Sequence, residues 1–504
     1  GFYLANTEDS VVDLTKPGEG RLGLHAPALR GGVVRADEPL GVLEGLTAGT
    51  GRMPALPPWV HEGAIVGMQG GTDAVRNVLR ELTARGTPIA GFWLQDWVGR
   101  RQTSFGSQLW WNWELDTERY PAWPELLAEV RAAGGRMLGY VNPFLVDAAS
   151  KPGVRRNLYA EAQERGYLVR DDGGKVLTVT LTDFPAAMVD LSNPAARTWL
   201  LAILTEALTT VGLDGWMADF AESLPFEARL ASGETGAVAH NRYPVDWAAL
   251  NREALRAAGK EGQGMFFTRA GGMGSAREST LFWLGDQNVT WDEFDGLASA
   301  VIGLLSGGLS GITLNHWDIG GYTTLPELGV SRSKELLLRW MEISAFTAVY
   351  RTHEGNRPAS NAQFYSDAES LDAFARFARV YKGLSAYRRR AEAEAVARGW
   401  PIVRHPWLHA EGDVAFLDLP PTELEFLLGS DILVAPVLAP GVNRRPVRLP
   451  PGRWVHLFRG DASGDAGAST VVEVEAPLGT PAVFVRESAA PEIRRALQSA
   501  GALP

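Results

Sequence analysis

Two aspartates stand out for the company they keep. Asp219 in GWMADFAE and Asp286 in FWLGDQN each follow a short apolar run of Trp, Phe, Met or Leu. Paired carboxylates are what cleavage of a glycosidic bond needs. At a separation of roughly 5–5.5 Å one attacks the anomeric carbon while the other protonates the leaving oxygen; roughly 6.5–9.5 Å would admit a water and invert the centre. Aromatic neighbours such as Phe282 and Trp283 favour a raised pKa on the acid, which keeps it protonated near neutrality. Arg269, in FFTRAGG, would hold the nucleophile ionised and oriented. Singly, each aspartate reads equally well as a helix N-cap after a strand; the set carries the reading.

Competing chemistries fit less well. His316 and His353 with Asp318 form a loose candidate metal set, but no HExxH-like run is present, and a metal is not expected. The chain has no GxSxG elbow and no Walker lysine loop, and AGGMGSA and LLSGGLSG do not match a dinucleotide fingerprint. No cofactor is expected. The absence of cysteine excludes thiolate chemistry and disulfides. The net charge of −11 is spread along the chain without a Lys/Arg block, which argues against a nucleic-acid partner. No stretch reaches the length of a membrane span, and the first residues lack a basic segment followed by an apolar one. The expectation is a soluble, cytoplasmic protein acting on a small-molecule glycoside, with a homo-oligomer left open.

Those aspartates need elements to hold them. From about residue 64 the sequence repeats one phrase: a short apolar run, a polar turn, an amphipathic helix. The runs are AIVGMQGG, IAGFWLQDW, RMLGYVNP, LDGWMADF, GMFFTRAG, TLFWLGDQ, ITLNHWDIGG and TAVYRTHEG. Between them the spacing predicts helices over 75–85, 124–133, 195–211, 246–258, 297–305 and 334–346, with Thr72-Asp73, Asn193 and Ser333 as caps. Eight nearly all-apolar strands describe an α/β fold, a (β/α)8 TIM barrel, better than an open sheet. In such a barrel the working groups project from the C-terminal strand ends. Those ends carry Gln69, Gln95 and Asp96, Asn142, Asp219, Arg269, Asp286, His316 and Asp318, then Arg351 and His353. The barrel is expected over 61–392. A C-terminal β-sandwich follows over 393–504, where short alternating strands are cut by Pro and Gly. Residues 1–60 read as an N-terminal β segment, a remnant or truncated sandwich.

The motifs GWMADFAE, RAGGMGS, WLGDQNVTW, HWDIGGY and RTHEGNRP resemble glycoside hydrolase family 31, whose members are retaining α-glycosidases built on this barrel with flanking sandwiches. The resemblance implies Asp219 as nucleophile, Asp286 as acid/base, and Arg269, Trp283, Asp318 and His353 around the reacting sugar. Within the family the chain is most similar to the branch that hydrolyses α-sulfoquinovosides, glucosides with a sulfonate on carbon 6. Gln69 of GMQGG, Gln95 of WLQDW and the loop QDWVGRRQTSFGSQLWWNW carry that likeness. It implies that Trp111 and Tyr322 meet the sulfonate. Gln108 stands where the branch has an arginine. A neutral amide is no substitute for a charged fork, so either Arg100 or Arg101 compensates or the anion is differently placed or absent. In the same loop Phe105 and Trp113 are read as packing, with Trp110 undecided. An α-glucosidase without sulfonate selectivity, or a non-catalytic sugar-binding barrel, remain the alternative readings.

Overall fold

The computed structural model describes residues 1–181, 183–410 and 412–503. Seven parallel strands form one sheet in chain order: β1 (Ala64–Met68), β2 (Ile89–Leu94), β3 (Arg136–Val141), β4 (Gly215–Ala218), β5 (Met265–Thr268), β6 (Leu281–Trp283) and β7 (Asn315–His316). Nearly every residue in them is buried, which is why they read as continuous apolar runs rather than alternating ones. The eighth run closes the barrel as a seam. Ile65 N–H donates to Tyr350 O at 2.9 Å, Thr352 N–H to Ile65 O at 3.1 Å, and Ile319 N–H to Arg351 O at 3.1 Å, giving single parallel bridges to both neighbours. The fit at that seam depends on Gly67, where a Cβ would lie 2.1 Å from Thr352 O.

Helices Thr72–Ala84, Trp123–Ala132, Pro194–Thr209, Tyr243–Ala257, Leu297–Leu309 and Lys334–Ser344 fall where the periodicity placed them. Asn193 and Ser333 cap as expected, each side chain accepting from amides of the first turn. Thr72 does not cap: it is the first helical residue, and its hydroxyl donates to Pro121 O at 2.7 Å. Leu297–Leu309 runs past its expected end because glycine suits the packing there. A Cβ on Gly308 would meet Pro401 at 3.0 Å.

Between β3 and β4 lies an excursion the periodicity did not reveal, a three-stranded antiparallel sheet of Phe144–Leu145, Thr178–Leu181 and Phe184–Met188. Its strands are too short and mixed to stand out, yet two of its phenylalanines help build the site. After β2 the chain forms a hairpin, Arg100–Thr103 paired with Gly106–Leu109.

Helices Ala368–Gly383 and Ser385–Arg398 lead into the C-terminal unit. There a six-stranded antiparallel sheet carries the hairpin Arg444–Leu449/Thr470–Glu475 over one face. Strand periodicity sorts the side chains. Leu427, Leu433 and Phe484 face the hairpin, whereas Phe426, Leu428, Ile432, Val434, Val483 and Val485 join the main core with the barrel. The chain then forms a helix, Ala490–Ser499, with Ile493 and Leu497 buried. The N-terminal segment is β only in part. Two small antiparallel pairs span residues 2–33, but Pro39–Thr50 is helical and buries Leu43 and Leu46 against Leu408. Its glycines and threonines hid that helix.

Candidate active site

Asp219 follows β4 directly, its amide donating to Val141 O at 2.8 Å across the sheet. The next two residues turn sharply: Phe220 and Ala221 both have left-handed φ, 57° and 88°, a conformation that costs side-chain-bearing residues energy and clusters at functional sites. The turn aims Phe220 N–H back at Asp219 Oδ1, 2.7 Å away. Oδ2 accepts from the Tyr140 hydroxyl. Tyr140 is positioned by Asn142, which donates to it at 3.2 Å while accepting from Phe144 N–H at 2.9 Å.

Asp286 sits three residues beyond β6. Arg269, the first residue after β5, binds both carboxylates with one nitrogen. Its Nη1 lies 3.3 Å from Asp219 Oδ1 and 3.0 Å from Asp286 Oδ2. Those oxygens therefore lie no farther apart than the two distances end to end, short of the roughly 6.5–9.5 Å of an inverting pair. The other nitrogens of Arg269 hold Glu222 at 2.7 and 3.2 Å, and the guanidinium lies 4.4 Å from the Phe220 ring centre.

The environments push the two acids differently. Burial raises the Asp219 pKa, but Arg269, the Tyr140 hydroxyl and the Phe220 amide work against it by stabilising the anion. Asp286 has no comparable set of hydrogen bonds. Although 42% of its side-chain surface is open, close protein walls lift its pKa to about 7; Arg269 opposes that rise and Asp219 reinforces it. One carboxyl is thus equipped as an anion and its neighbour as a reservoir for a proton.

Both face a pocket of ≈ 170 Å³, well under the roughly 300–1,000 Å³ of drug-sized sites, which restricts it to a small ligand. Gln69, Gln95, Gln108, Trp111, Tyr322 and His353 line it with them. His353 Nδ1 accepts from Gly355 N–H at 2.8 Å, which leaves the proton on Nε2 as a donor. Burial holds the ring neutral. Tyr322 packs edge-on against it at 4.7 Å.

Two expected residues, Trp283 and Asp318, lie outside that pocket, and Arg269 stands at its edge between the carboxylates. Arg269 and Trp283 line a more open cavity of ≈ 740 Å³ beyond the guanidinium. Asp318 is fully buried in an ion pair with Arg351 and lines neither cavity. Asp96 ties Arg119, Tyr120 and the Gly70 amide together inside the protein. His316 bridges Phe282 O and Arg351 Nε as a neutral ring. Among the described residues no group of three His, Cys, Asp or Glu gathers in a form that could hold a metal.

In the aromatic loop Phe105 lines the pocket instead of only packing, because the hairpin turn carries it inward. Trp113 is buried, as expected. Trp111 does both jobs: it faces the pocket and rests on Phe144, Phe184 and Phe220 at 5.6, 5.4 and 5.3 Å. Arg100 donates to Gln69 Oε1 at 3.1 Å, while Arg101 stacks on Phe184. Tyr140 and Glu222 escaped the sequence reading. A lone hydroxyl near the end of the apolar run RMLGYV was the available signal for the first; nothing marked the second.

The family model for the glycosyl hydrolases family 31 TIM-barrel domain matches residues 54–382, and that for the family 31 C-terminal domain matches 399–490. A sulfoquinovosidase of Escherichia coli (strain K12) is 42% identical over 451 residues, which cover 90% of this chain and 64% of that protein. One from Agrobacterium fabrum is 41% identical, over 88% of this chain and 65% of its own length. The chain spans less than two thirds of either relative. A solved sulfoquinovosidase from E. rectale, in complex with an aza-sugar inhibitor, superposes with a TM-score of 0.92 at 38% identity, covering 99% of this chain and 73% of that one.

Proposed function

The chain belongs to glycosyl hydrolases family 31, and from that premise we propose that it is a retaining α-glycosidase that hydrolyses α-sulfoquinovosides, releasing a small alcohol such as glycerol. The observation that carries the chemistry is the single Arg269 nitrogen within reach of both Asp219 and Asp286. A shared nitrogen between the two carboxylates supports the closer spacing of a retaining pair. The Asp219 carboxylate attacks the anomeric carbon. As the bond to the leaving oxygen breaks, Asp286 gives that oxygen its proton, and a glycosyl ester forms on Asp219. Asp286, now a carboxylate, takes a proton from a water that attacks the same carbon, which frees Asp219 and restores the configuration.

The substrate follows from the relatives, both named sulfoquinovosidases, and from Trp111 and Tyr322 on the pocket wall. The test compares an aryl α-sulfoquinovoside with the matching α-glucoside. A kcat/KM clearly in favour of the sulfonated sugar is expected; equal constants, or a preference for the glucoside, would make the enzyme an α-glucosidase without sulfonate selectivity. Complete inactivity on both would point to a sugar-binding barrel.

A further inference from the structure

Among the described residues Arg101 has no counter-ion. Its Nε and Nη2 are buried and donate to no atom among the described residues. Stacking holds it instead, with the guanidinium carbon 3.3 Å from the centre of the Phe184 ring and 4.8 Å from that of Trp110. Burial, opposed by no neighbouring carboxylate, pulls its pKa down to about 10, so it remains charged at neutral pH. A desolvated charge left unpaired is costly. Other arginines of the site are differently placed: Arg269 holds three carboxylates, and Arg100 meets Gln69 and, at 3.7 Å, Asp96.

Its place in the hairpin gives that unpaired charge a direction. The register pairs Arg101 with Gln108, and directly opposed residues of an antiparallel pair project from the same face. Gln108 lines the pocket. Phe184, beneath the guanidinium, packs edge-on against Trp111, the next lining residue along. Arg101 itself does not line the pocket; strand register and the Phe184 ring place it one layer behind the wall made by Gln108 and Trp111.

We propose that Arg101 receives the sulfonate of the substrate, presenting its fork from the strand opposite Gln108. A guanidinium offers parallel N–H donors to two oxygens of such a group, and the ring of Phe184 fixes its plane. The assignment rests on the sulfoquinovoside reading of the pocket.

The test measures, for wild type and Arg101→Met, the ratio of kcat/KM on an aryl α-sulfoquinovoside to that on the α-glucoside. Methionine keeps a flexible apolar stem over Phe184. The ratio is expected to fall about 10–100-fold, the loss typical of charge-assisted hydrogen bonds, chiefly through KM. Adding Gln108→Arg to Arg101→Met should recover part of the ratio, since the two positions share a face, and Arg101→Lys should lie between. A wild type that prefers the sulfonated sugar, with the ratio unchanged in Arg101→Met, overturns the role of Arg101 and leaves the proposed function standing. An equal fall on both substrates also overturns it, because a residue that only packs would lower both. A wild type without preference overturns the function and, with it, this role.

Discussion

Asp219 is drawn towards its anion by three donors from three different segments: Arg269 after β5, Tyr140 in β3 and the amide of Phe220 in its own turn. Asp219→Asn keeps the volume but removes the attacking charge, and kcat should fall by on the order of 10⁴-fold or more, as when a nucleophile is deleted elsewhere. The pH profile follows from its neighbour. Asp286 must be protonated to act as the acid, and its pKa stands at about 7, so kcat/KM should decline as pH rises through about 7. On the acid side activity falls as Asp219 takes up a proton, at a pH higher than for a free aspartate because burial raises its pKa. Asp286→Asn should erase the alkaline limb; its persistence would assign that titration to another group. The two aspartates were legible because each ends an apolar run. Glu222 was not, since its place is set by Arg269, far away in sequence; Arg101 was legible only as one of two candidates with Arg100, because the ring that singles it out, Phe184, comes from another segment.

Among the elements, the seam is the sensitive join. At Gly67 an added Cβ would lie 2.1 Å from Thr352 O, so Gly67→Ala must push β1 away from the run that carries Arg351 and His353. A loss of roughly 1–3 kcal/mol is expected for such overpacking, read as a lower urea midpoint, with reduced kcat because His353 lines the pocket. An unchanged midpoint would mean the seam yields freely. Barrel strands and helices were legible because burial on both faces, and on one stripe, imposes distinct periods. The excursion sheet Phe144–Met188 was not, because strands such as Phe144–Leu145 are too short to show any period. Residues 39–50 misled for the opposite reason: a Pro, Gly and Thr content typical of turns forms a helix once Leu43 and Leu46 have Leu408 to cover.

For the molecule as a whole, barrel and C-terminal sheet share one hydrophobic core, with Val483 and Val485 buried in the same cluster as Leu384 and Tyr387. The two should unfold together, in one calorimetric transition; two resolved transitions would show that the sheet merely rests on the barrel. The fold class was legible in the sequence as eight apolar runs followed by alternating strands, but this shared core was not. Each face of the sheet alternates correctly, and nothing in the order of residues says which face meets the barrel.

Arg269 carries a last consequence. Because a single nitrogen steadies both carboxylates, nucleophile and acid have a common point of failure outside themselves. A descendant of this barrel could lose catalysis by changing that one arginine while both aspartates persist, and a census of catalytic carboxylates would still count it among the enzymes.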